Sequence, residues 1–411
     1  MRSSIVRIGY SWTIFLFGIL IRITGVWNAK ARVWRNGRKG QWARIKNHEK
    51  SLIGHKRIWM HCASSGEFQQ GRPLIEKLKK ASPDNIFLVS FFSPSGYHEW
   101  KDDPLIDMAF YLPLDTSKNA HRLVNILAPS MVLFVKNEFW FHLISTLRLN
   151  NIPVFFVSAV FHSKHHIFLP FFKETMQGVN HLFVQDPVSY DVLHSKGFNN
   201  VSVAGDTRID YIMDYKDENQ VPKLLEDQKN KFSECIVYGS VWASDLKILS
   251  PFIMRKGDIL HIIVPHETDP RQLESCLSYL PDTYSLLSSV QSQMSNVVVV
   301  DMMGLLKSLY SMADMAYVGG GFGKGIHNIL EPAIHNIPVI FGPRHKKITE
   351  ANELIRLDVA MAVNNPGSFE KAYLLLSGSK GPIEGKMYTY FNSRKGATER
   401  IIIKLKDMCY A

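Results

Sequence analysis

Residues 316–346, AYVGGGFGKGIHNILEPAIHNIPVIFGPRHK, restrict the possible folds more than any other stretch of this chain. A short apolar run ends in Gly319, Gly320 and Gly321, and a loop with Gly323 and Gly325 follows. His327 and Asn328 then lead into a segment that reads as a helix, closed by Pro338, before Val339-Ile340-Phe341 begin another strand. Strand, glycine loop, helix, strand is a βαβ unit, and its loop lies at the carboxyl end of a parallel strand. Glycines there admit close backbone approach to a ligand, and a helix N-terminus favours an anion, so the loop reads as a phosphate site. No register gives G-x-G-x-x-G, and Gly323-Lys324 is followed by Gly325 where a Walker loop needs Ser or Thr. Glu331 falls one helical turn after His327 and Asn328, which puts the three on one face. Its carboxylate could accept hydrogen bonds from both hydroxyls of a ribose, or simply complement the helix dipole.

The same alternation of strand and helix runs through most of the chain. Apolar runs at 57–62, 86–91, 131–135, 153–158 and 181–184 read as buried strands, with helix-length segments such as 68–80, 117–127 and 139–149 between them. A polar stretch over 210–231 reads as a linker or surface helix, after which apolar runs resume at 235–239, 260–264, 297–300, 315–318 and 339–341. This predicts two α/β halves with parallel sheets, 51–212 and 213–411, preceded by a separate segment over 1–50.

Charge sets that first segment apart. It holds eleven Lys or Arg against one acid, Glu49, so it carries +10 of the formal net charge of +11 and the body is near neutral. A nucleic-acid enzyme spreads positive charge over its working cleft, so no nucleic-acid partner is expected. The basic residues flank an uncharged run over 8–21 that includes Trp12, Phe15, Leu16 and Phe17. That run is shorter than the roughly 20 residues a spanning helix needs. A membrane anchor with a trailing basic patch on anionic cytoplasmic headgroups fits better than a cleaved signal or a soluble helix. Whether it spans or lies in the interface stays open. Cys62, Cys235, Cys276 and Cys409 lack metal-type spacing and read as thiols in a reducing compartment.

Two α/β halves behind a membrane-flanking start suggest an enzyme joining a nucleotide-activated donor to a lipid-linked acceptor. No two aspartates are spaced D-x-D, so a metal-held diphosphate is unsupported, and neither metal nor cofactor is expected. In the first half, Glu67 follows a strand and a glycine at the start of a predicted helix. There it could take a proton from a sugar hydroxyl, or serve only as an N-terminal helix acid. Ser93-Pro94-Ser95-Gly96 could be an anion nest or an ordinary helix start. His61 reads as a packed strand histidine and Cys62 as core.

Several motifs then occur in a set order: W-x-H-x-x-S-x-G-E at 59–67, S-P-S-G at 93–96, Y-L-P-L-D at 111–115, E-F-W at 138–140 and G-D-T-R-x-D at 205–210. The closing block, G-G-G…H-N-x-L-E-P…P-V-I-F-G-P, covers 319–343. With the apolar start and its arginines, this chain resembles the lipid A Kdo transferases, which move 3-deoxy-D-manno-octulosonic acid (Kdo) from CMP-Kdo to a lipid A precursor such as lipid IVA. The resemblance extends to about residue 380. It implies a GT-B fold, two Rossmann-like domains facing across a cleft, behind an N-terminal membrane-anchor helix at the cytoplasmic face of the inner membrane. It implies inverting, metal-independent transfer with Glu67 as general base. Gly239, Ser240, Pro265, His266, Gly320, Gly321, His327, Asn328 and Glu331 match donor-side positions. Ser65, Gly66, Ser95, Gly96, Glu138 and Arg208 match acceptor or cleft positions. The chain departs from the family's pattern in the loop 323–326, in Ser158-Ala159-Val160-Phe161 where many members have Asn-Ala-Arg, and in Pro265-His266-Glu267, which lacks an arginine. A GT-B transferase using a UDP-sugar and a lipid-linked acceptor is the alternative. A nucleotide-sugar binding protein without a base is disfavoured by Glu67.

Overall fold

The computed structural model describes residues 2–48, 54–162, 170–215, 221–289 and 294–409. Glu49 and Lys50 of the basic segment, and 216–220 of the polar stretch, lie outside the described residues. The chain divides into two compact units, Met1–Tyr211 with Arg394–Ala411, and Ile212–Ser393.

Seven parallel strands form the sheet of the first unit: β1 Arg57–Cys62, β2 Ile86–Phe91, β3 Met108–Tyr111, β4 Met131–Val135, β5 Val154–Ala159, β6 His181–Val184 and β7 Val201–Val203. Because neighbouring side chains on a strand point to opposite faces, each apolar run supplies two layers at once. Trp59, Leu88, Val132, Phe134 and Phe156 pack in one. Met60, Phe87, Val89, Leu133 and Val157 pack in the other, against Leu74 and Ile75 from the helix after β1 and Ile401 and Leu405 from the last helix. That last helix, Ala397–Cys409, belongs to the first unit, although the alternation in the sequence runs the second half through to residue 411. Asp210 holds its start, accepting hydrogen bonds from the N–H groups of Gly396 and Thr398 at 2.6 Å each.

The second unit repeats the plan with β8 Glu234–Val241, β9 Ile259–Pro265, β10 Ser285–Leu286, β11 Val297–Val299, β12 Met315–Val318, β13 Val339–Phe341 and β14 Ala360–Ala362. Strand order is β3-β2-β1-β4-β5-β6-β7 in the first sheet and β10-β11-β9-β8-β12-β13-β14 in the second. In each, the winding direction reverses at one place, between β1 and β4 and between β8 and β12. In such sheets ligands bind outside the carboxyl ends of the strands at that reversal.

Among the described residues, three helices precede β1: α1 Arg2–Thr24, α2 Ala29–Gly37 and α3 Gln41–His48. One face of α1 docks on the first unit. The Tyr10 hydroxyl donates to Asp115 at 2.7 Å, the Phe17 ring stacks on Phe92, and Gly18 lies so close to Leu114 that a Cβ would come within 2.8 Å. Its other face leaves Ile8, Trp12, Phe15, Leu16 and Leu20 exposed, Trp12 by 60%. Among the described residues no single helix is long and apolar enough to cross a membrane, although Arg7–Thr24 with Ala29–His48, bent by 117°, pass together on length and composition. Arg38, one of the basic residues expected to face headgroups, turns inward instead. Its guanidinium lies 3.6 Å from the Trp34 ring centroid and donates to the carbonyls of Leu112 and Phe92, and burial lowers its pKa to about 9.

Candidate active site

The first unit places Glu67 at its sheet reversal. The chain leaves β1 at Cys62 and enters the helix α4, Ser65–Ala81, with Glu67 in its first turn. The side chain folds back, and Oε2 accepts the N–H of Ala63. That contact closes the strand-to-helix turn and holds the carboxylate at the strand end. Burial, and then the nearby Glu138 charge, push the Glu67 pKa up, while the Ala63 N–H, His61 and Lys136 pull the other way. A carboxyl shifted up towards neutrality is a stronger base once ionised than an ordinary surface glutamate.

His61 is fully buried on β1, as its strand context predicts, yet it faces this site. Nδ1 lies 2.8 Å from Ser90 Oγ, which also accepts the Trp59 indole N–H, and Nε2 lies 3.6 Å from Glu138 Oε2. Glu138 follows β4, the strand beside β1, so the two strand ends bring Glu67, His61 and Glu138 together. Ser93-Pro94-Ser95-Gly96 is a helix start: Ser93 Oγ caps Pro94–Trp100 by accepting the Gly96 N–H at 3.2 Å, and Ser95 Oγ sits 2.9 Å from Ser93 Oγ. Gly96 is required there because a Cβ would meet the backbone of Ser64 and Ser65 at 3.0 Å. Ser65 accepts the Trp100 indole N–H at 2.8 Å and Gly66 is exposed. Arg208 pairs with Asp206 at 2.9 Å, and Gln70 donates to the other oxygen of Asp206 at 2.7 Å. Cys62 is core, its thiol pushed up by burial. At the divergent segment, Ser158 has φ 53° and its hydroxyl pairs with Thr207 at 2.7 Å, while the Asn137 side chain bridges the backbone of Val160.

In the second unit, Gly239-Ser240, Pro265-His266 and Gly319-Gly320-Gly321 end the adjacent strands β8, β9 and β12. They therefore meet at the reversal of that sheet. The glycines are dictated first by packing. A Cβ on Gly319 would lie 2.2 Å from Ser240 O, and one on Gly321 would lie 2.5 Å from Gly342 Cα. Gly320 adds a left-handed φ of 89°. Asp245 locks the loop, accepting from the N–H of Gly320 at 3.0 Å, the N–H of Trp242 at 2.9 Å and the hydroxyl of Tyr317 at 2.9 Å. Sequence reasoning misses Asp245, because an acid in the first turn of a helix carries no further signal by itself.

The segment after the loop departs from expectation. The spacing predicts a helix from His327 towards Pro338, but the helix is one turn, Leu330–Ala333. One turn sums too few peptide dipoles to hold an anion, so the dipole argument for phosphate fails here. What the segment supplies is side chains. Asn328 Nδ2 donates to Glu331 Oε1 at 3.2 Å, and Asn328 Oδ1 accepts the Leu330 N–H at 3.1 Å. The His327 ring stacks on His266 at 4.2 Å between centroids, and the Trp242 ring lies 4.8 Å from His266. The Trp242 indole N–H donates to His327 Nε2 at 3.3 Å, so that nitrogen is an acceptor and Nδ1 carries the ring proton. Burial, and then His266, lower the His327 pKa from 6.5 to about 4. This imidazole is neutral at physiological pH.

That shift has a consequence for stability. Below about 6.5 the unfolded His327 takes a proton that the folded ring refuses until about 4, so the second unit loses stability as pH falls through this window. His261, which is buried and also lowered to about 4, acts in the same sense. His327→Asn is expected to flatten part of the decline between pH 6.5 and 4, read as thermal midpoint against pH. A variant whose profile overlays the wild type contradicts the assignment.

Comparison with known proteins bears on the family and the fold. A family model described as 3-deoxy-D-manno-octulosonic-acid transferase (kdotransferase) matches residues 35–211. The 3-deoxy-D-manno-octulosonic acid transferase of Chlamydophila psittaci is 30% identical over 299 residues, which cover 69% of this chain and 69% of that protein. A bifunctional glycosyltransferase/methyltransferase of Fusobacterium nucleatum is 25% identical over 384 residues, covering 88% of this chain but 59% of that longer protein. Among solved structures, UDP-GlcNAc 2-epimerase from Neisseria meningitidis bound to UDP-GlcNAc matches with a TM-score of 0.60 at 15% identity, covering 85% of this chain and 98% of that one. At that identity the likeness concerns the fold alone, and the two parallel-sheet α/β units are those of the GT-B fold. The chain belongs to the 3-deoxy-D-manno-octulosonic acid (Kdo) transferases, a family of glycosyltransferases.

Proposed function

We propose that this protein transfers Kdo from CMP-Kdo to a hydroxyl of a lipid A precursor such as lipid IVA, with inversion at the anomeric carbon. The observation that carries the reading is Glu67, held at the sheet reversal of the first unit with a carboxyl whose affinity for a proton is raised by burial and by Glu138. The acceptor oxygen attacks the anomeric carbon, its proton passes to Glu67, and the sugar–phosphate bond breaks with its electron pair leaving on CMP. The end of β8, the end of β9 and the glycine loop hold the nucleotide, with Glu331 and Asn328 placed to meet ribose hydroxyls. Protons on a neutral His327 and on backbone N–H groups supply donors for the phosphate.

The exposed face of α1 supports a membrane-bound position at the cytoplasmic side of the inner membrane, where such an acceptor is embedded. Apolar side chains including Trp12, Phe15 and Leu20 point away from a helix face that is already docked. An amphipathic arrangement of this kind lies in an interface rather than crossing it. The direct test is transfer from CMP-Kdo to tetraacyl lipid A precursor on vesicles with and without EDTA, followed by mass spectrometry of the lipid. One or more added Kdo masses, unaffected by EDTA, and co-sedimentation with anionic vesicles are expected. Binding of CMP without transfer would point to a different acceptor or sugar.

A further inference from the structure

Lys136 is the first residue beyond β4, and the sequence motifs pass over it. Its backbone is pinned by an N–H donated to Val157 O at 2.9 Å, and it adopts φ 61°, in the left-handed region that a residue with a Cβ rarely enters. Such strain persists where the surroundings dictate it, and it is concentrated at functional sites. β4 borders β1 at the reversal of the first sheet, so Lys136 ends the strand beside the one that leads to Glu67. It is largely shielded from water and within electrostatic reach of Glu67, Asp206 and Arg208.

Among the described residues, its ammonium has no hydrogen bond and no carboxylate within ion-pair distance. The acids nearby are already engaged: Asp206 by Arg208 at 2.9 Å and Gln70 at 2.7 Å, Glu67 by the Ala63 N–H, and Glu138 facing His61 at 3.6 Å. Glu67 and Asp206 favour its charge but take their hydrogen bonds from other groups, so the three N–H donors of the ammonium are left for a ligand. Glu67, Glu138 and Asp206 stand against Lys136 and Arg208, and among the described residues only Arg208 of the two cations is hydrogen-bonded to one of these acids.

We infer that Lys136, backed by Arg208, is an oxyanion subsite beside the general base, seating a carboxylate or phosphate of a substrate while Glu67 takes the acceptor proton. The inference rests on the proposed reaction. Both partners of that reaction carry such a group: Kdo is a sugar acid, and the lipid A precursor is phosphorylated.

The test compares wild type with Lys136→Met and Lys136→Arg, using full-length protein and separate titrations of CMP-Kdo and of acceptor with and without its phosphates. Lys136→Met is expected to raise one KM by about 10-fold or more, the loss typical of a charged hydrogen-bond partner, and Lys136→Arg to restore most of it. A raised KM for CMP-Kdo identifies the sugar carboxylate. A raised KM for the phosphorylated acceptor alone identifies the lipid phosphate. The thermal midpoint in the absence of ligand confirms that each variant is folded. Equal KM values in wild type and Lys136→Met, including the case in which only kcat or the pH profile moves, overturn the subsite. Should the wild type transfer nothing from CMP-Kdo, the reaction reading fails by itself. The subsite is then read from thermal protection by inorganic phosphate, expected in wild type and lost in Lys136→Met; equal protection overturns it.

Discussion

Glu67→Gln is expected to lower Kdo transfer by about 10²–10⁴-fold while CMP binding stays intact, because glutamine keeps the shape of the side chain and removes its basicity. The amide oxygen can still accept the Ala63 N–H, so the turn between β1 and α4 should hold. The residues proposed to hold the donor lie on the second unit, in strands and loops that the substitution does not touch. The wild-type pH profile carries a second signature. Glu67 must be ionised to act as a base, and burial with the neighbouring Glu138 charge raises its pKa above 4.5, so activity should begin to fall at a higher pH than an ordinary glutamate would give. Turnover, CMP affinity by calorimetry and the pH profile check the three parts. Equal turnover by the variant would sink the assignment of the base.

Gly319→Ala is expected to cost about 3 kcal/mol or more in the second unit, at the upper end of overpacking penalties. The added methyl would lie 2.2 Å from Ser240 O, 2.6 Å from Val241 Cα and 2.7 Å from Ser240 C. All three are backbone atoms, so no side chain can rotate away. The clash must be relieved by separating β8 from β12, which also shifts the Gly320 N–H off Asp245. For a unit of this size such a loss corresponds to roughly 6–12 °C in thermal midpoint. CMP affinity should fall with it, because the displaced segment is the loop itself. Gly66→Ala is the control: nothing lies within 4 Å of a Cβ there, and its effect on stability should be small. A Gly319→Ala protein that melts with the wild type would show that the strand ends have slack.

The contrast between these glycines shows where sequence reasoning stops. Gly319, Gly320 and Gly321 read as a ligand loop, and they do lie at the carboxyl end of a parallel strand. Their first duty, however, is to let three strand ends approach one another, a demand set by Ser240 and Gly342 from far along the chain. Glu331 shows a different limit. Periodicity put it on a helix with His327 and Asn328; Asn328 does meet Glu331, but through a single turn whose start is built by the Asn328 side chain, and His327 packs instead on His266 and Trp242. Arg38 shows a third: counted as a surface charge, it instead lies against Trp34, Phe92 and Tyr111. Nothing local distinguishes it from its basic neighbours.

The sequence by itself determined the two α/β halves, the parallel strands, Glu67 at a strand-to-helix turn and an apolar, basic start. These follow from patterns only a few residues long: runs of apolar residues that can be buried on both faces of a sheet, helix-length spacers, and glycine or proline at the ends. Tertiary structure alone decided the strand order, and with it the two reversals that bring β1 to β4 and β8 to β12. It returned the last helix to the first unit and made Asp245 the anchor of the glycine loop. It also left Lys136 as a shielded cation beside acids that take their hydrogen bonds from other groups. Each of these depends on which distant residues share a dielectric environment and a hydrogen-bond donor, and that is set by the packing of the whole unit rather than by any stretch of the chain.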